Sequence, residues 1–236
     1  MGFDTESDMR DVAQDTLREA FNEPDAKMFE EFAYGSGRAD YVLARVSDAY
    51  LSRRLDDLDI ETAIDSDRIL QAFLLLHNRE TISKEYYYEM GALDRRSKTQ
   101  ALNWLTNHGF AKEVDGSHIR TTPHLRRHVT TAYSIELKLS KWKKALRQAF
   151  RGKGFSEYQC VVMDAEYVDR ALENRHQFEE HGIGLMSLTE DGEYEMHLSP
   201  ERNNPYSLIN RWRLNERTIM DELKVQPSTY AGAAGD

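Results

Sequence analysis

The sequence predicts a mixed α/β protein, and three observations carry the prediction. From Tyr133 onward the patterning runs strand, helix, strand, helix, strand, strand, an α/β order. Near the N-terminus an amphipathic helix precedes a hairpin pattern. Between them, residues 67–122 change organisation to three helical patterns followed by a second hairpin.

Residues 8–22 place Met9, Val12, Ala13, Leu17, Ala20 and Phe21 on one helical face, and Asn22-Glu-Pro-Asp ends that pattern. Met28 to Ala33 and Ala39 to Val46 read as strands joined by a tight turn at Gly35-Ser-Gly37. Residues 47–66 are polar and acidic with sparse apolar anchors, a connecting segment of partial helical character. Ile69–His77 and Ile82–Met90 read as helices. A third runs from Asp94 as N-cap to Gly109 as C-cap, with Ala101, Leu102 and Leu105 as its stripe. Phe110–Val114 and His118–Thr122 flank Asp115-Gly116, a strong hairpin turn.

Further on, Trp142, Ala145, Leu146, Ala149 and Phe150 repeat at helical spacing. Tyr158–Met163 reads as a buried strand and Glu166–His181 as a helix ended by Gly182. Ile183–Leu188 and Tyr194–Leu198 form a hairpin across Glu190-Asp-Gly192. Tyr206–Leu223 is helical, and 226–236, small and polar, is expected to be disordered.

The chain has 236 residues, enough for one large domain or two smaller ones. No apolar run approaches the roughly 20 residues of a membrane span, and the acidic N-terminus lacks a signal-peptide core, so a soluble, cytoplasmic protein is expected. Cys160 is the only cysteine, which excludes an internal disulfide and a cysteine zinc cluster. The net charge of -10 argues against a nucleic-acid partner until its distribution is considered. Arg95 to Lys153 holds 14 Lys/Arg and three acids, a net of +11, while the remainder carries -21. One basic block in an acidic chain is the footprint expected for a phosphate backbone, although a surface that is basic by chance has the same pattern.

The run from Thr131 to Leu139 alternates, with Ile135, Leu137 and Leu139 on one side and Ser134, Glu136 and Lys138 on the other. A carboxylate and an ammonium then share one face of a strand, a pairing that can hold a metal and steady a phosphate. Hydrolysis of a phosphodiester commonly needs a second carboxylate to hold the cation, and Asp40, opening the strand after the glycine turn, is the best candidate.

On Asp40 and Glu136-Leu137-Lys138 the chain resembles the PD-(D/E)XK nuclease superfamily, the restriction-endonuclease-like fold. Helix 8–22 corresponds to the leading helix of that pattern, whose acid would be Glu19, and Gln148 to a glutamine on the following helix. Gly152 stands where related nucleases carry a tyrosine. Residues 67–122 resemble a winged helix-turn-helix inserted between the strands of Asp40 and Glu136. The resulting division is a nuclease-like core in 1–66 and 123–225, the insert in 67–122, and a tail in 226–236.

The resemblance implies a Mg²⁺- or Mn²⁺-dependent DNA endonuclease. Asp40, Glu136 and the carbonyl of Leu137 would hold metal, Lys138 would orient the attacking water or stabilise the transition state, and Gln148, Lys141 and Lys144 would touch the backbone. On the insert, Arg95, Arg96, Lys98, Gln100 and Asn103 would face DNA from the third helix, and Lys112, His118 and Arg120 from the wing. A homodimer is compatible with this, because a duplex cut needs two active sites. The alternative is a DNA-binding regulator or adaptor with an inactive nuclease fold; a structural protein using its acidic surface is a third reading. Each residue also has a plainer role. Glu136 and Lys138 read equally as an exposed ion pair, Asp40 as a turn cap, Glu19 as a solvated helix residue, and Arg95, Arg96 and Lys98 as a solvated helix start. Trp104, Trp142 and Trp212 and the Tyr86-Tyr87-Tyr88 run read as packing, and Cys160 as inert.

Overall fold

The computed structural model describes residues 2–35, 37–77, 79 and 81–225. The expected disorder of 226–236 and the middle residue of the glycine turn, Ser36, lie outside the described residues. In chain order the elements are α1 (Glu6–Ala20), β1 (Lys27–Tyr34), β2 (Gly37–Val46), α2 (Asp48–Ser52), α3 (Asp67–Leu76), β3 (Ile82–Ser83) and α4 (Lys84–Glu89). They continue with α5 (Arg95–Asn107), β4 (Ala111–Asp115), β5 (His118–Thr121), β6 (Val129–Lys138), α6 (Trp142–Gly152) and β7 (Tyr158–Asp164). Last come α7 (Asp169–Leu172), α8 (His176–Glu180), β8 (Gly184–Leu188), β9 (Tyr194–Leu198) and α9 (Leu208–Glu222). A mixed α/β fold results, and among the described residues no helix is long and apolar enough to cross a membrane.

The chain divides into two compact units: Met1–Val46 with Val129–Arg211, and Ser47–His128 with the chain from Trp212 onward. The first holds a six-stranded sheet in the order β1-β2-β6-β7-β8-β9. Its central pairs β6–β7 and β7–β8 are parallel and the outer pairs antiparallel. Both faces are covered. On one, Met9, Ala13 and Leu17 of α1 pack on Leu43, Ile135, Leu137 and Val162. On the other, Trp142, Ala145 and Ala149 of α6 pack on Val161, Met163 and Leu185. Thr5 closes α1 with a capping box, its hydroxyl accepting from the Asp8 N–H while Asp8 accepts from the Thr5 N–H.

The stretch 166–181 is not one helix. Turns separate α7 from α8, and the Asn174 side-chain amide donates to the Arg170 carbonyl at 2.8 Å, competing with the helical ladder. Residues 82–90 also split, because Ile82 and Ser83 pair with Ile119 and His118 before Ser83 caps α4.

The second unit is larger than the 67–122 segment that periodicity outlines. It takes in α2, a π-helical stretch Arg53–Asp57, and α9 from Trp212 on. Trp212 packs edge-on against Phe73 and His77, each with centroids 4.8 Å away. Arg54 and Glu216, both 1% exposed, pair through two hydrogen bonds of 2.7 and 2.8 Å. Within this unit α3, α4 and α5 accompany a three-stranded sheet in the order β3-β5-β4.

Candidate active site

The sheet changes character at Asp40. β1 and β2 pair in register on both sides of Glu31 and Asp40 but not between them, and Glu31 has a left-handed backbone (φ 48°). On the other flank the β2–β6 ladder stops at Tyr41 and Ile135. Where the next rung would form, the Asp40 carboxylate takes its place: Oδ2 accepts the Leu137 N–H at 2.8 Å. A side chain has replaced a backbone acceptor, and the two strands part beside it.

Glu136 lies on the strand face that α6 covers, and it is fully buried. The alternation of β6 was read correctly, but its polar face is not solvated: Ser134 and Glu136 are 0% exposed and Lys138 5%. That removes the exposed ion-pair reading. Among the described residues neither carboxylate oxygen of Glu136 has a hydrogen-bond partner. Burial, and then the negative charge of Asp40, push its carboxyl up to about 8. Tyr34 of β1 stands close enough that burial and the Glu136 charge together raise its phenol to about 12.

Lys138 makes no hydrogen bond to Glu136, and its charge opposes burial and Asp40 without outweighing them. Its ammonium donates to the Leu137 carbonyl at 2.6 Å and to Glu6 Oε2 at 3.0 Å, and lies 3.9 Å from Asp40 Oδ2. Arg10 of α1 donates to Asp40 Oδ1 at 3.1 Å and to Glu31 at 2.9 Å. Each Asp40 oxygen therefore has a donor, while among the described residues Glu136 has none.

α6 completes the surroundings. A Cβ at Gly152 would lie 2.6 Å from Ser134 Oγ and 2.8 Å from Ser134 Cβ, so only glycine allows this approach of helix to strand. The helix connects two parallel strands and so runs antiparallel to both. Gln148, four residues or about 6 Å back along the helix from Gly152, is partly buried, and its Oε1 is buried with no hydrogen-bond partner among the described residues. Lys141 and Lys144 are exposed on the same helix.

Asp40, Glu136, Leu137 and Lys138 therefore converge, and Gln148, Lys141 and Lys144 belong to the helix covering that face of the sheet. Glu19 does not join them. It lies thirteen residues beyond Glu6, about 20 Å at the helical rise, in a cleft lined by Asp15, Thr16 and Glu190. The acid that α1 does bring is Glu6, in its first turn, with Arg10 one turn on. Both were missed from sequence because they sit at the margin of the apolar stripe and match no motif; their i, i+4 spacing was the available signal.

In the second unit Arg95, Arg96, Gln100, Asn103, Lys112 and Arg120 are exposed, and Lys112 pairs in register with Arg120 on the hairpin; His118 is half-buried and sits against Asp115. Lys98 is different: it is 2% exposed, its ammonium donates to the Tyr88 carbonyl at 2.7 Å, and it holds α4 to α5. Its place on the inner face of α5, beside Ala101 and Leu102, removes it from any exposed surface.

Among the described residues no group of three or more His, Cys, Asp or Glu side chains is placed to hold a metal ion. What fits a cation is the Asp40–Glu136 pair with the Leu137 carbonyl: oxygen donors, two of them buried without any donor facing them. Mg²⁺ is held in this way, by one or two carboxylates with the remaining positions left to water and phosphate. The chain matches no protein-family model, no curated protein and no solved structure.

Proposed function

We propose that this protein is a Mg²⁺- or Mn²⁺-dependent DNA endonuclease of the PD-(D/E)XK, restriction-endonuclease-like kind, with a winged helix-turn-helix in its second unit adding DNA contact. The observation that carries the reading is Glu136: a fully buried carboxylate with no donor among the described residues, beside a second carboxylate at the point where two strands part. A protein tolerates such a pair when a cation or a shared proton compensates it. A bound divalent ion supplies Lewis acidity and a lowered water pKa. Asp40, Glu136 and the Leu137 carbonyl would hold it.

The chain's own groups account for the rest. Water attacks phosphorus, and the bond from phosphorus to the leaving sugar oxygen breaks. The Lys138 ammonium, beside both the Leu137 carbonyl and Asp40, orients that water or donates to a phosphate oxygen as charge develops. Gln148 and the exposed Lys141 and Lys144 of the covering helix bind the backbone of the same strand. Arg95, Arg96, Gln100, Lys112 and Arg120 supply further phosphate and base contacts.

The test is cleavage of duplex, single-stranded, forked and branched DNA with Mg²⁺ or Mn²⁺. Glu136→Ala and Lys138→Ala should each reduce the rate at least 100-fold while DNA binding, weakened by salt, persists. A wild-type protein that cuts none of these substrates, or variants that cut as well as wild type, would refute the assignment. A second reading is favoured by the Arg10–Asp40 ion pair, which supplies a cation from the protein itself. In that case the protein is a DNA-binding regulator or adaptor with an inactive nuclease fold, and it binds DNA at low salt without cutting.

A further inference from the structure

The two carboxylates of the site are compensated unequally, and the inequality falls on one arginine. Asp40 Oδ2 is fixed by the Leu137 backbone N–H. Among the described residues Asp40 Oδ1 is engaged by Arg10 alone, at 3.1 Å. A cation that binds Asp40 together with Glu136 takes the oxygen that can be released without breaking the backbone contact, which is Oδ1. Arg10 then has to leave it.

A place for Arg10 already exists. Its other guanidinium nitrogen donates to Glu31 Oε1 at 2.9 Å, and Arg38 holds the second Glu31 oxygen at 2.8 Å. Glu31 is the residue of β1 with the left-handed backbone, directly across from Asp40 in the interrupted register. Strain of this kind persists where the surroundings impose it, and here it accompanies a carboxylate placed beside Asp40 and shared by two arginines. The guanidinium is bidentate and always charged, so it can give up one acceptor and keep the other.

The geometry points to Arg10 as a positioning residue that stands in for the divalent ion on Asp40 and withdraws onto Glu31 when the ion binds. The inference rests on the reading of Asp40 and Glu136 as cation ligands. It has a two-sided consequence. Removing the arginine frees Oδ1 and tightens ion binding. Removing the Glu31 charge leaves Arg10 with Asp40 as its remaining anion and weakens ion binding. A static Arg10–Glu31 bridge gives the same two signs through its charges alone, so the double variant separates the cases: if Glu31 acts by receiving Arg10, Glu31→Gln changes nothing in the Arg10→Gln background, whereas plain electrostatics leaves the two effects additive, and additivity overturns the proposal.

The experiment is Mn²⁺ binding to the full chain without DNA, by calorimetry or electron paramagnetic resonance, for wild type, Arg10→Gln, Glu31→Gln and the double variant. Arg10→Gln should bind Mn²⁺ about three- to fivefold more tightly, and Glu31→Gln about two- to threefold more weakly, the scale of a partly exposed ion pair. If wild type binds Mn²⁺ and the variants match it, or both weaken, the role given to Arg10 is wrong while the cation site stands. If neither wild type nor Arg10→Gln binds Mn²⁺, the cation site itself fails and this inference with it. Should Arg10→Gln not fold, Glu31→Gln decides by itself: unchanged or tighter binding overturns the proposal.

Discussion

Glu136 carries its cost in one direction of pH. Burial and the Asp40 charge raise its carboxyl from about 4.5 to about 8, so between those values the folded protein holds a proton that the unfolded chain has lost. Stability contributed by this group is complete below pH 4.5 and falls as pH rises toward 8. Glu136→Gln does not titrate and offers N–H donors beside Asp40. It should therefore be more stable than wild type at pH 8.5, by about 1–3 kcal/mol, with the advantage shrinking toward pH 5. Urea denaturation at the two pH values measures this; a constant difference would show that Glu136 is not the titrating group. The same residue shows what an alternating pattern can convey. Ser134, Glu136 and Lys138 share a face by strand geometry alone, but their burial comes from α6 lying over them.

At the scale of elements, the approach of α6 to β6 sets where Gln148 stands. Gly152→Ala puts a Cβ 2.6 Å from Ser134 Oγ, and Ser134 is itself fully buried, so helix and strand must separate. The expected cost is about 1–3 kcal/mol, the range for overpacking. It should appear as a lower urea midpoint at unchanged slope. A variant as stable as wild type would mean that the helix has slack at this contact. The strand-helix-strand order and the hairpin at Asp115-Gly116 were legible because side-chain period and turn chemistry are local properties. The break in 166–181 was not, since it depends on a side-chain amide outbidding the backbone for the Arg170 carbonyl.

For the whole molecule, the notable feature is how the chain closes its second unit. It leaves the six-stranded sheet after Val46, returns at Val129, and leaves again after Arg211. Arg54 and Glu216, 162 positions apart, meet fully buried, and Glu216 also accepts the Ile64 N–H at 2.8 Å. Glu216→Ala strands a buried guanidinium and should cost about 3–5 kcal/mol, whereas Arg54→Met with Glu216→Leu should recover most of that loss. Denaturation of the single and double variants checks both; equal losses would mean that the backbone groups the pair satisfies, the Ile64 N–H and the Ile60 and Thr62 carbonyls, carry the cost. A fragment limited to 67–122 lacks Arg54, Trp212 and Glu216. It should give no protected amides in hydrogen exchange, although the sequence marks those residues as a segment of their own.

The sequence by itself determined the mixed α/β class, the strand bearing Glu136 and Lys138, the strand bearing Asp40, and the basic block, because each follows from local periodicity or composition. Tertiary structure alone decided which acid of α1 reaches the site, Glu6 rather than Glu19, and that Lys98 is a buried strut rather than a surface cation. It also decided that Arg10 sits on Asp40 and that α9 from Trp212 belongs with residues 47–128. These depend on how far along a helix its packed turn lies and on which surface covers an amphipathic face. A helical repeat marks the apolar side of an element; the element packed against that side is fixed only when the whole chain has folded.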